Sequence, residues 1–232
     1  MFLGFAHPVL AHLPHDEVYF VATPEDGSDD GPWISYHYDA ATLSFDGGER
    51  WQNIGGEVFL HEGHEGFTLA DDTVVVCGAD SVWYTVDFGE NWSEVSIDGE
   101  IADCVMKNNE IVVATGQGLL FGEYDGVLTT LDDGGYQSVD WSGEWISAAS
   151  SDGGAIFYGK RGKKGEVTAG PNTDVSATTM MSSPPVLFAG DKNGSVWTLV
   201  GGTWEPCAPV PPMARPAIMH MGVFEESLVV LP

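Results

Sequence analysis

Basic residues are scarce. Eight Lys and Arg stand against 35 Asp and Glu in 232 residues, a formal charge of −27 at pH 7. Nucleic-acid binding needs a basic footprint to neutralise phosphates, and the chain as a whole lacks one, so nucleic acid is excluded as a partner. Cysteine is sparse too. Cys77, Cys104 and Cys207 are odd in number and show no Cys-x-x-Cys spacing, so neither a disulfide framework nor a zinc ribbon is indicated, and three reduced, packed thiols are expected. No run of about 18 apolar residues is present, so no membrane insertion is expected. The opening MFLGFAHPVLAHLPHDE has no Lys, no Arg and no long apolar stretch ending at a small-residue cleavage site, so no export signal is expected. Helical periodicity is almost missing.

What is present points to a folded chain. Hydrophobic residues make up 43% and aromatics 11%, well above the apolar poverty of a disordered acidic chain. A β-rich chain of this length buries one core, so residues 1–232 are expected to form a single domain. A charge of −27 repels itself in dilute buffer, whereas at about 1 M salt the Debye length falls to about 3 Å and the repulsion is screened. The composition therefore fits a halophile.

A short pattern, Ser/Thr-x-Asp-x-Gly-x-x-Trp, recurs along the chain. It occurs as Ser44, Asp46, Gly48 and Trp51, and again as Thr85, Asp87, Gly89 and Trp92. A third copy keeps Thr130, Asp132 and Gly134 but has Gln137 for the Trp, and TLVGGTW at 198–204 is a degenerate fourth without the Asp. Successive copies of the first three start 41 and 45 residues apart, the length of one four-stranded propeller blade. A short Asp side chain can accept backbone N–H bonds within a turn, Gly tolerates positive φ, and Trp gives the following strand an apolar anchor. The pattern resembles the Asp-box, or BNR repeat, of sialidases and many unrelated β-propellers. With its acidic composition the chain is similar to a halophilic member of that family, haloarchaeal or from a haloarchaeal virus. The resemblance implies that these residues form the hairpin turn between the outer two strands of a blade and are structural rather than catalytic.

A second repeat of apolar strand, small residue, polar turn and apolar strand runs through VVVCGADSVWYTV, VVATGQGLLFGEY, IFYGKRGKKGEVTAG and VLFAGDKNGSVWTLV. The glycines, Gly78, Gly116, Gly159 and Gly190, fall 38, 43 and 31 residues apart, and YFVATPEDG is an earlier variant. These give five blades. The two tail strands, 218–223 and 228–231, are too few for another blade and are expected to complete one with the amino-terminal MFLGFAH, which would close the ring and remove open edges. The fold expected is all-β, a β-propeller of six blades with a composite last blade, five blades being the alternative. PEDGSDDG at 24–31 reads as an acidic turn and 206–216 as a stiff proline-rich connection.

Enzyme chemistry finds little footing. Sialidases clamp their substrate with three arginines, and the only three here, Arg50, Arg161 and Arg215, lie in unrelated turns and a proline-rich connection. Another glycosidase needs only two carboxylates, which a chain with 35 acids offers without information. His61 and His64 in HEGHEG, like His12 and His15, are weak metal candidates. Gly63 and Gly66 argue for a solvated loop, so no metal and no cofactor are expected. Trp83 and Trp197 read as core rather than sugar platforms. The most distinctive feature is GKRGKKG, where Lys160, Arg161, Lys163 and Lys164 supply half of all basic residues within five positions. Against an acidic background such a knob can dock on an acidic surface, including another copy of the chain.

The expected role is a non-catalytic scaffold or binding protein, with other protein subunits in several copies as partners and a host glycan or surface protein as a further one. Asp-box proteins often act outside cells, and a protein without an export signal reaches the outside as part of a virus particle assembled in the host cytoplasm. The leading expectation is therefore a virion protein of a haloarchaeal virus, in a capsid decoration or tail. A cytoplasmic scaffold or assembly factor is the alternative, and a glycan-active enzyme of sialidase-like fold the third.

Overall fold

The computed structural model describes residues 20–22, 33–37, 40–44, 46, 48–53, 65–68, 73–87, 90–207, 218, 220–224 and 227–231. Among these, every regular element is a strand. The first sheet runs in the order β1 (Phe20–Ala22), β2 (Trp33–His37), β3 (Ala40–Ser44), β4 (Gln52–Asn53). The second holds β5 (Glu65–Thr68), β6 (Val74–Cys77), β7 (Ser81–Thr85) and β8 (Ser93–Ser96). β9 (Ile101–Lys107), β10 (Glu110–Thr115), β11 (Gly118–Glu123) and β12 (Thr129–Asp132) form the third. The fourth comprises β13 (Tyr136–Ser142), β14 (Trp145–Ser150), β15 (Ala155–Lys160) and β16 (Glu166–Ala169). β17 (Val175–Ser182), β18 (Pro185–Asp191), β19 (Val196–Val200) and β20 (Thr203–Pro206) make the fifth, and β21 (His220–Phe224) pairs with β22 (Ser227–Leu231) in a two-stranded sheet. Each four-stranded sheet is a meander in which sequence neighbours pair. The amino-terminal segment expected to join β21 and β22 lies outside the described residues, as do 24–31, His12, His15, His61, His64 and Arg215.

The residues explain which strand goes where. The second strand of a meander is flanked on both edges and, when both faces are covered, reads as an unbroken apolar run. Val74, Val75 and Val76 in β6, and Ile111, Val112 and Val113 in β10, are fully buried. The fourth strand alternates weakly or not at all, as in Ser93–Ser96 and Glu166–Ala169, where three of four residues are exposed.

The chain divides into two compact units. In the first, which comprises Met1–Ile101, Lys107–Asn109 and Tyr124–Val127, Ile101 donates its N–H to Ala79 O and Ile97 donates to Asp80 O, tying the strand after β8 to the β6–β7 turn. Tyr84 and Tyr124 meet edge to face at 5.2 Å. In the second, sheets stack in sequence. Val112, Ala114 and Leu119 of the third sheet pack on Trp141, Ile146, Ala148 and Phe157 of the fourth. Ala149 and Ile156 on the other face of the fourth pack on Val175, Met180, Leu187 and Ala189 of the fifth. Ala177 and Val196 then face Ile218 and Met221.

The innermost strands of this unit are also laced together by polar side chains. Asp103 in β9 accepts the Val139 N–H of β13 at 2.7 Å, and Asp140 in β13 accepts the Thr179 hydroxyl of β17 at 2.7 Å. Gln137 donates to Ser150 O and Val175 O, both at 2.8 Å, and Ser176 donates to Ile218 O at 2.6 Å. Within this unit the third, fourth and fifth sheets thus each engage the segment that follows through at least one side chain.

One expectation is corrected here. Cys77 and Cys104 are disulfide-bonded rather than reduced. Cys207 is a free thiol, half-buried, and burial pushes its pKa up. The lack of a Cys-x-x-Cys spacing does not exclude a disulfide, because the bond requires closeness in space and not in sequence.

Candidate functional site

The turns between third and fourth strands carry most of the chain's distinctive chemistry. In β3–β4, Ser44 Oγ donates to Asp46 Oδ1 at 2.9 Å and accepts the Gly48 N–H at 2.9 Å, while Asp46 Oδ1 accepts the Arg50 N–H at 2.8 Å. Gly48 has φ of +89°, the left-handed region that favours glycine. In β7–β8 the same device recurs: Thr85 Oγ1 donates to Asp87 Oδ1 at 2.8 Å, which accepts the Asn91 N–H at 2.9 Å. Asn91 adds its side-chain amide to Asp87 Oδ2 at 2.7 Å. Trp51 is exposed rather than an anchor in the core, and its indole N–H closes on Gly48 O at 3.0 Å. Trp92 is half-buried, and Gly89 lies outside the described residues.

The third copy folds differently. Thr130 and Asp132 lie in β12, and Gly134 follows on the step from the third sheet to the fourth, so TLDDGG is not an outer hairpin turn. Thr130 is exposed, and Asp132 turns to the Tyr136 phenol, whose pKa is pushed up by burial and, after it, by the Asp132 charge. A Ser-x-Asp turn that the pattern missed closes β14–β15, where Ser150 Oγ donates to Asp152 Oδ1 at 2.6 Å and Asp152 accepts the Gly154 N–H at 2.9 Å.

These carboxylates make stability depend on pH. The Asn91 amide and N–H hold Asp87 below the ordinary 3.8 of an aspartate, the Arg50 N–H does so for Asp46, and the Ser150 hydroxyl for Asp152. A depressed folded-state pKa contributes stability that is present above 3.8 and lost as pH falls through the lower folded value. Asp87→Asn removes one such titration, so its thermal midpoint should fall less steeply than the parent's between about pH 4 and about pH 2. Parallel midpoint curves would show that the Asp87 charge is not engaged in the folded state.

The basic segment occupies the corresponding turn of the fourth sheet, β15–β16. Gly159 is a residue of the third strand, not of a second-to-third turn like Gly78 and Gly116, so the repeat frame read from the sequence slips by one strand here. The turn is tightly built. A Cβ on Gly165 would lie 2.6 Å from the Phe157 ring, and one on Gly162, at φ of +64°, would lie only 3.1 Å from the Phe121 ring. Two of the four cations are exposed but paired. Lys160 pairs with Glu144 at 3.2 Å and lies 5.5 Å above the Trp145 ring. Arg161 pairs with Glu110 and lies 5.8 Å from the Trp141 ring, and its N–H donates to Glu144 O at 2.9 Å. Lys163 and Lys164 are exposed and make no ion pair among the described residues. The tip is thereby pinned to its own sheet and to the third, with two lysines left facing solvent.

The inner strands of the second unit offer Asp103 and Asp140, and both carboxylates are engaged with the neighbouring strand. Trp83 and Trp197 are half-buried, and the Trp197 indole donates to Asp191 at 3.2 Å. Among the described residues no group of three or more His, Cys, Asp or Glu is placed to hold a metal ion, and no helix is long and apolar enough to cross a membrane.

No protein-family model and no curated protein matches the sequence. Solved structures do. Hsv2 of Kluyveromyces marxianus superimposes with a TM-score of 0.64 at 12% identity, over 92% of this chain and 68% of that one. YCF48 bound to D1 peptide gives 0.62 at 14%, over 88% and 75%. Raptor of Chaetomium thermophilum gives 0.65 at 13%, over 94% of this chain but only 23% of that one, so the chain spans about a quarter of Raptor's length. All three are β-propellers. The chain has a β-propeller fold. At these identities the likeness carries the fold alone, and the successive four-stranded antiparallel meanders are its blades.

Proposed function

We propose that this β-propeller is a non-catalytic binding scaffold that docks on an acidic protein surface through the β15–β16 turn. The observation that carries the reading is the turn itself. In a chain of net charge −27, a glycine-built tip is fixed by Lys160 and Arg161 and holds Lys163 and Lys164 outward with no ion pair among the described residues. Pre-organised cations of this kind lose little entropy on binding. YCF48, a propeller of similar fold, has a structure with a bound peptide, in keeping with a protein partner. The engagement of Asp103 and Asp140 in strand-to-strand bonds leaves those inner carboxylates to architecture rather than acid–base work.

The finer reading is an Asp-box propeller of six blades, the last completed by the amino-terminal strand, working in several copies in the particle of a haloarchaeal virus, as capsid decoration or in a tail. The Asp46 and Asp87 turns and the acidic composition support it. The halophilic part is tested by salt: the thermal midpoint should rise between about 0.1 M and about 3 M NaCl as repulsion is screened, and a flat response would count against it.

For docking, the test is charge reversal. Lys163→Glu with Lys164→Glu should lower incorporation into the assembly by about tenfold at about 2 M NaCl, because close pairs in a contact survive salt that screens long-range steering. The variant should remain folded, since both side chains are exposed and make no ion pair or hydrogen bond among the described residues. Equal incorporation would reject the turn as a contact, and a wild-type chain that sediments only as a monomer would reject the assembly.

A further inference from the structure

Beside the basic tip lies an aromatic seam. Trp145 and Tyr158 on the fourth sheet and Leu199 and Trp204 on the fifth are half-buried, and all pack on one core that includes Ala149, Ile156, Met180 and Leu187. The strand register explains the convergence. Trp145 stands opposite Lys160 and Ser147 opposite Tyr158, which places Trp145 and Tyr158 on one face of their sheet, and Leu199 pairs with Trp204 on the next. The seam is held at its outer rim by the Trp204 indole donating to Ala169 O at 2.8 Å, a bond from β20 to the end of β16. Tip and seam are continuous, because the Lys160 ammonium lies over the Trp145 ring.

Resting on the docking role of the tip, we infer that the seam and the tip form one composite site for an extended acidic segment of a partner protein. The segment's aromatic or apolar residue lies on the seam and its carboxylates lie on Lys163 and Lys164. Charge fixes the arrangement. The seam's own carboxylates Glu144 and Glu166 are engaged, with Lys160 and with the Tyr158 hydroxyl at 2.7 Å, so an incoming acid beside the seam meets the tip's Lys163 and Lys164, which make no ion pair among the described residues. Half-exposed Trp and Tyr flanked by cations have the residue make-up of binding hot spots, where a ring is buried against rings and the charged pairs set orientation. A polyanionic glycan would use the lysines but offers the seam only the C–H face of a sugar ring and no aromatic or apolar side chain.

The test is titration of the full chain with short synthetic acidic peptides, one carrying a single tryptophan and one with alanine in its place. The tryptophan peptide should bind, and its affinity should fall about tenfold with the alanine peptide, with Tyr158→Ala, and with the Lys163→Glu, Lys164→Glu pair. Tyr158→Phe keeps the ring and should bind as the parent does. If Tyr158→Ala fails to fold, the two peptides on the unaltered protein carry the test alone. Loss of binding with the lysine pair but equal affinity for the two peptides would overturn the seam and leave the tip standing. Heparin binding to the lysines more tightly than either peptide would do the same. Binding of no peptide, or binding indifferent to the lysine pair, would overturn both the seam and the docking role.

Discussion

Phe157→Ala is expected to lower folding stability by about 3–5 kcal/mol, measured by urea denaturation. Phe157 is the largest side chain in the fully buried set, 1% exposed, and its ring meets Tyr136 edge to face at 6.2 Å. It belongs to the core in which Val112, Ala114 and Leu119 of the third sheet pack on Trp141, Ile146 and Ala148 of the fourth. All of these neighbours except Trp141, on the edge strand β13, sit on strands paired on both edges, so they cannot collapse far into the space a ring leaves, and the cost takes in the cavity as well as the lost transfer energy. The effect should reach the basic tip, because Gly165 rests on this ring. A loss under about 1 kcal/mol would mean that the stacking of these two sheets contributes little to folding.

The strands were legible because apolar runs such as Val74–Cys77 and Glu110–Thr115 are long, β-branched and bounded by turn residues. The Ser44-Asp46 and Thr85-Asp87 patterns were legible because a short carboxylate four residues before a backbone N–H leaves few other turns open. Reading failed where two consecutive hairpins look alike. Each is apolar strand, small residue, polar turn, apolar strand, and only pairing tells second-to-third from third-to-fourth. Thus IFYGKRGKKG was aligned with Gly78 and Gly116 although its turn is the outer one. The uneven spacing of 43 and then 31 residues was the available signal, since Gly153 of the β14–β15 turn follows Gly116 by 37 residues, close to the 38 that separate Gly78 and Gly116. TLDDGG failed for a different reason. Thr-x-Asp fits a turn, but Leu131 is buried in the core and draws those residues into β12. The seam beside the tip was out of reach of sequence, because it joins residues of two sheets through register.

Asp191 carries no signal in the sequence, yet among the described residues its loss should be one of the most damaging outside the apolar core. It ends β18 and is 1% exposed, yet nothing in DKNGSVW fits the Ser/Thr-x-Asp pattern that drew attention to the other turns. Its Oδ1 accepts the N–H groups of Asn193 and Ser195, each at 2.8 Å, and its Oδ2 accepts the Trp197 indole at 3.2 Å. Its carbonyl takes the N–H of Gly194 and that of Ile218, both at 3.1 Å, so the same residue shapes the β18–β19 turn and anchors Ile218, which precedes the two-stranded sheet. Asp191→Ala keeps the backbone bonds and strips the three side-chain ones. Asn193 is exposed and its N–H can turn to water, whereas Ser195 and Trp197 are half-buried, and a buried donor left unpaired costs about 1–3 kcal/mol. The expected loss is about 2–4 kcal/mol in urea denaturation. Asp191→Asn separates shape from chemistry: its oxygen can still accept the two N–H groups, but its amide N–H₂ faces the Trp197 indole donor, so about half the alanine loss should remain. An alanine variant as stable as the parent would mean that solvent satisfies all three donors and that Asp191 does not organise the turn.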